Sequence, residues 1–142
     1  MSETGRRTSR AIRHFSDVEV YRDSFRLGLR AFEISRPFPV GERFALTAQL
    51  RRSARSVGAN VAEAWGKRRY EAHFVAKLSD ADTELHETEH WLACALKHGY
   101  LGRETYDQLR ADIASIGRRL GAMMAKPRSF LLQPRPAPTS EL

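Results

Sequence analysis

The stretch FVAKLSDADTELHETEHWLACA, from Phe74 to Ala95, decides the fold. Phe74, Leu78, Ala81, Leu85, Thr88, Leu92 and Ala95 follow one another at alternating steps of four and three. That spacing keeps them on one face of an α-helix, with charged and polar residues around the rest. It predicts a helix over 70–98, with Gly99 placed to end it. Such a helix is well beyond the usual length of about 11–12 residues, and its 3.5-residue repeat is that of packed bundles.

The neighbouring stretches read the same way. Thr47, Leu50, Ala54, Val57, Val61 and Ala64 form a narrow stripe of mostly small residues, on a helix expected over 42–65. Gly58 weakens or bends that helix, at a cost of roughly 1 kcal/mol against alanine, and Gly66 is its expected exit. Upstream, Ser16 and Glu19 have the spacing of a capping box. Val18, Tyr21, Phe25, Gly28/Leu29 and Phe32 then share the apolar face of a helix expected over 17–34, stopped by Pro37 and Pro39. Downstream, Tyr106, Leu109, Ile113, Ile116, Leu120 and Met123 mark a helix over 103–126, ended by Pro127. Aromatic and β-branched alternation is nearly absent. The chain reads as all-α, an antiparallel up-down four-helix bundle with flexible termini. Residues 15–126 are the bundle, 1–14 a basic mobile arm, and 127–142 a proline-rich tail in which Phe130, Leu131 and Leu132 are an apolar exception able to dock.

Composition narrows the function. At 142 residues, 42% hydrophobic and 29% charged, the chain fits one globular domain. No run approaches the roughly eighteen apolar residues a membrane-spanning helix needs, so no membrane partner is expected. MSETGRRTSRAIRHF has no apolar stretch behind its basic residues and is not a secretory signal. Cys94 is the single cysteine, which excludes an internal disulfide, a thiolate zinc cage and an iron–sulfur centre. A reducing cytoplasm is the expected location.

The charge is lopsided. Twenty-four basic residues stand against seventeen acidic ones, a net +7, and twenty of the cations are arginine. Guanidinium forks match phosphate geometry, so the balance points to a polyanionic partner such as nucleic acid. Charge kept for solubility is the alternative. Residues 37–70 hold seven basic and two acidic side chains, whereas 71–99 hold two basic and six acidic. Arg51 and Arg55 project from one side of the second helix, Arg52 lies further round, and Lys67, Arg68 and Arg69 cluster at its exit. These six are the candidate nucleic-acid contacts, a ridge leading into a loop that could track a phosphate backbone; no base-reading aromatic motif accompanies them. The basic second and acidic third helices are also able to attract each other, within a subunit or between identical copies.

His86-Glu87-Thr88-Glu89-His90 matches H-E-x-x-H on a helix, the pattern of two zinc ligands and a general base. The longer form would place glycine and histidine where Ala93 and Leu96 stand. His86 and His90 also lie well off the Leu85/Leu92 stripe. Glu87-x-x-His90 resembles half of a di-iron site, but no second copy occurs and the core stripes hold no carboxylate. Neither metal nor cofactor is expected, and no nucleophile arrangement surrounds Cys94.

Three strings carry a resemblance: FSDVEVY at 15–21, LTAQLRRSARSVGANVAEAWG at 46–66, and GYL at 99–101. Together they resemble the four-helix bundle protein family. It includes proteins encoded in intervening sequences of bacterial large-subunit ribosomal RNA genes, and is similar to the accessory variability determinants of diversity-generating retroelements. The likeness spans residues 15 to about 126, nearly the whole folded part. Tyr21, Gly58 and Ala64 depart from residues common in the family, each keeping small or aromatic character. The resemblance implies a non-enzymatic ring, typically a homopentamer, which in the retroelement branch partners a reverse transcriptase and its RNA. Arg51, Arg52 and Arg55 match the family's basic string. Asn60 and Glu63 match its N-x-A-E string and are expected to be structural or intersubunit. The expected function is an RNA-binding accessory protein; a protein-interaction scaffold whose charge serves ring assembly is the alternative.

Overall fold

In a computed structural model, residues 12–133 are described. They form four helices, α1 (Glu19–Ser35), α2 (Leu46–Gly66), α3 (Glu71–Lys97) and α4 (Arg103–Ala125), with no strand among the described residues. The expectations for 1–11 and 134–142 lie outside them. Each helix packs on its neighbours in sequence, and α1 also packs on α4, which closes the bundle. Cross-helix pairs fix the directions. Arg52 meets Glu84 and Glu87 while Glu63 meets Lys77, so α2 and α3 run oppositely. Arg119 reaches Asp23 at 2.5 Å while Arg30 reaches Gln108 at 3.0 Å, so α4 and α1 do too.

The stripes of α2, α3 and α4 are buried residue for residue, from Phe74 and Leu78 on α3 to Leu109 and Leu120 on α4. Ser53 and Thr88, hydroxyls 3.0 Å apart, sit inside the α2–α3 seam. A left-handed Gly99 (φ +77°) ends α3, where Tyr100 N–H donates to the Ala95 carbonyl and Gly99 N–H to that of Leu96. This pair of reversed bonds satisfies carbonyls the helix end would otherwise leave open. Past α4, Phe130 stacks on Phe74 at 6.2 Å and Leu132 N–H donates to the Arg68 carbonyl at 3.2 Å, tying this segment to the bundle.

Three expectations are corrected. The face of α1 that enters the core is Val20, Ser24, Leu27, Gly28, Ala31 and Ser35; of the expected stripe Val18 and Gly28 are buried, while Phe25, Leu29 and Phe32 stay outside the core. The reason is close approach. A Cβ on Gly58 would lie 3.7 Å from the Phe25 backbone nitrogen, and one on Gly28 3.6 Å from Arg55 Cα. Small residues fit between backbones that near, and phenyl rings do not. Second, α2 starts at Leu46 rather than at 42. Amides of Glu42, Arg43 and Ala45 donate to carbonyls three residues back, so 40–45 coils in tight turns before the helix. Third, the α1 start is not capped by Ser16. The His14 side chain accepts from Ser16 N–H, and the Asp17 carboxylate accepts from His14 N–H, closing a short turn over Phe15–Asp17 instead.

Candidate nucleic-acid interface

Successive residues on α2 turn by 100°, which sends its arginines to different neighbours. Arg51 and Arg55 lean toward α1. Arg51 donates from Nε to Ser35 Oγ at 2.8 Å, and its guanidinium lies 4.6 Å from the Phe32 ring centroid. Arg55 approaches the same ring at 5.8 Å and Arg36 at 5.9 Å. Three cations therefore surround one half-open ring. None of them has a carboxylate partner among the described residues. Cation–π attraction of about 0.5–1 kcal/mol each offsets part of their repulsion, and a polyanion would remove the rest.

Arg52 points the other way, to α3. It pairs with Glu84 at 3.2 Å and with Glu87, whose carboxylate also accepts from Trp91 Nε1 at 3.2 Å. The hydrogen bond from Arg52 holds the Glu87 carboxyl below its ordinary range. Burial pushes Glu84 above that range, and the neighbouring Glu87 adds to the effect. The hydrogen bond to Glu87 in turn raises Arg52. The basic α2 and the acidic α3 are thus joined within the subunit here, and a second pair of reversed sense, Lys77 of α3 with Glu63 of α2 (2.7 Å), joins them further along.

The exit cluster is also divided. Arg68 folds back, donating to the Trp65 carbonyl at 2.7 Å with its guanidinium 3.5 Å over the indole, and burial lowers its pKa. Lys67 and Arg69 are exposed beside it. Asn60 is half-buried and donates to the Ser56 carbonyl at 2.9 Å. The structure therefore brings Arg51 and Arg55 together with Arg36, which the sequence reading did not single out. It places Arg52 and Arg68 in intramolecular contacts. Arg36 had a legible signal: it directly precedes Pro37, at the end of the helix facing the α2 arginines.

The α1 stripe displaced from the core borders a groove of about 480 Å³ against α2. Phe15, Tyr21, Phe25 and Leu29 line it with Gly58 and Ala62, and Phe32 and Arg55 close its basic end. Phe25 is 54% exposed and Leu29 53%. Elsewhere, His86 is exposed, its Nδ1 2.7 Å from the Asp82 carbonyl, while the His90 ring meets Trp91 edge-on at 4.7 Å. Among the described residues, no three His, Cys, Asp or Glu side chains form a group able to hold a metal ion. No helix among them is long and apolar enough to cross a membrane.

No curated protein sequence is significantly similar to this chain. A crystal structure of a protein of unknown function from the S23 ribosomal protein family of Bacteroides thetaiotaomicron is 29% identical and matches with a TM-score of 0.69. The match covers 75% of this chain and 96% of that one. The family profile of the 23S rRNA-intervening sequence proteins matches residues 16–122. Four helices in this arrangement, and a match over most of the sequence, place the chain in the 23S rRNA-intervening sequence protein family.

Proposed function

We propose that the protein is a non-enzymatic RNA-binding accessory subunit that grips phosphates through Arg36, Arg51 and Arg55, with Lys67 and Arg69 extending the basic surface. The observation that carries this is the convergence of three guanidiniums, unpaired with carboxylates among the described residues, on the Phe32 ring. Folding gains little from holding like charges together, whereas a phosphate backbone gains three donors already in place. Membership of a family named for sequences within ribosomal RNA genes supports RNA as the polyanion. A cytoplasmic location fits that partner.

We further place a contact between identical copies on the Tyr21–Phe25–Leu29 face, giving a homo-oligomer, with the homopentamer of the sequence resemblance as the favoured ring. A reverse transcriptase is the narrowest version of the partner, and co-purification with such an enzyme is its test. The exposed apolar groove also favours a second reading, a scaffold for another protein. Fluorescence anisotropy with labelled structured RNA over a salt series separates the two. The RNA reading predicts binding at low salt that weakens steeply as salt rises, because neutralised phosphates release counterions. Absence of binding at low salt would leave the scaffold.

A further inference from the structure

The turns between α1 and α2 leave an aromatic ring standing in the basic surface. Phe44 is 87% exposed, and the Arg43 guanidinium lies 5.4 Å from its ring centroid. Beside the ring opens a shallow concavity of about 600 Å³, walled by Arg43, Arg51, Arg52 and Arg55 over a floor that includes Ala48 and Ala59. No carboxylate of the described residues lines it. Arg52 is occupied by Glu84 and Glu87, while Arg43, Arg51 and Arg55 have no such partner among the described residues.

A flat apolar face fringed by guanidiniums suits one kind of group: a planar base attached to phosphates. The ring offers a stacking surface, and the arginines reach the flanking phosphates. A uniform duplex does not suit it, since its bases are already stacked and paired and offer edges in the groove but no free face. An apolar protein segment would cover the ring but leave desolvated cations without partners, which is expensive. We propose that Phe44 is a stacking platform for an unpaired base, so that the protein takes single-stranded or looped RNA in preference to continuous duplex. This rests on the RNA reading above and specifies its substrate class.

The test compares the full chain with F44A and F44Y, using a labelled short oligouridine and a blunt RNA duplex of equal length. Light scattering on each variant follows the assembly. The parent should prefer oligouridine. F44A should weaken oligouridine binding by about 5- to 150-fold, the range expected when one base–aromatic stack is removed, and leave duplex binding unchanged. F44Y, which keeps a flat ring, should restore it. Unchanged oligouridine binding by F44A, or equal loss for both RNAs, overturns the platform while leaving RNA binding standing. A changed oligomeric state in F44A also overturns it, because the ring is then a protein contact. If the parent binds neither RNA, the RNA reading itself falls and the platform with it.

Discussion

Replacing Phe25 and Leu29 together with serine removes most of the apolar face that α1 shows to solvent. Phe25 and Leu29 are 54% and 53% exposed. For side chains of up to about 200 Å², each presents on the order of 100 Å². Covering that area with a second copy contributes about 2.5 kcal/mol per residue at ~25 cal/mol/Å². The pair then carries about 5 kcal/mol per contact, three to four orders of magnitude in association. Neither side chain belongs to the buried core, so the helical circular dichroism should be kept, while the thermal midpoint should fall by whatever the assembly contributed. Sedimentation velocity at micromolar concentration should find the parent as an assembly and F25S/L29S near the 16.2 kDa of one chain. A variant that stays assembled, or a parent that is itself a monomer, refutes the placement of the contact on this face.

Thr47 is buried and its Oγ1 has no hydrogen-bond partner among the described residues, so Thr47→Val should raise stability by about 1–2 kcal/mol in urea unfolding; a loss would mean the hydroxyl is satisfied. Gly99→Ala should cost about 1–2 kcal/mol, because its left-handed backbone crowds a Cβ, and a neutral result would contradict the turn geometry. The Glu87 carboxyl is depressed by Arg52, so its contribution is full above the unfolded value of about 4.3 and fades as pH falls through its lower folded value. Glu87→Gln should therefore destabilise at pH 7 and progressively less in acid, and a pH-independent gap would sink that assignment.

All four helices were legible, and in three of them the apolar stripe is also the buried face. On α3 and α4 a single regular stripe competes with nothing, and periodicity names the core. On α1 two faces compete: one of aromatic residues, and one of Leu27, Ala31 and small residues around Ser24 and Gly28. Hydrophobicity favours the first, but the distance between α1 and α2 selects the second, and a single sequence does not encode that distance openly. The candidate site divides for a related reason. Arg51, Arg52 and Arg55 look equivalent in a charge count, but their turn around α2 commits Arg52 to α3 while the other two join Arg36 at Phe32. Phe44 was hidden because it lies where a helix was expected to have begun already.

The central claim is that phosphates are held by the arginines around Phe32, and charge removal with an internal control tests it most directly. R36Q/R51Q/R55Q and R52Q should be titrated with the same structured RNA across a salt series, each checked for helix content and assembly. The triple variant should bind all sequences more weakly and flatten the log–log salt slope by about 2–3, near 0.7–0.9 for each phosphate no longer neutralised. R52Q should lose stability, because it strips Glu84 and Glu87 of their partner, yet keep the parent's slope. A triple variant with the parent's affinity and slope, or an R52Q variant that alone flattens it, would contradict the account.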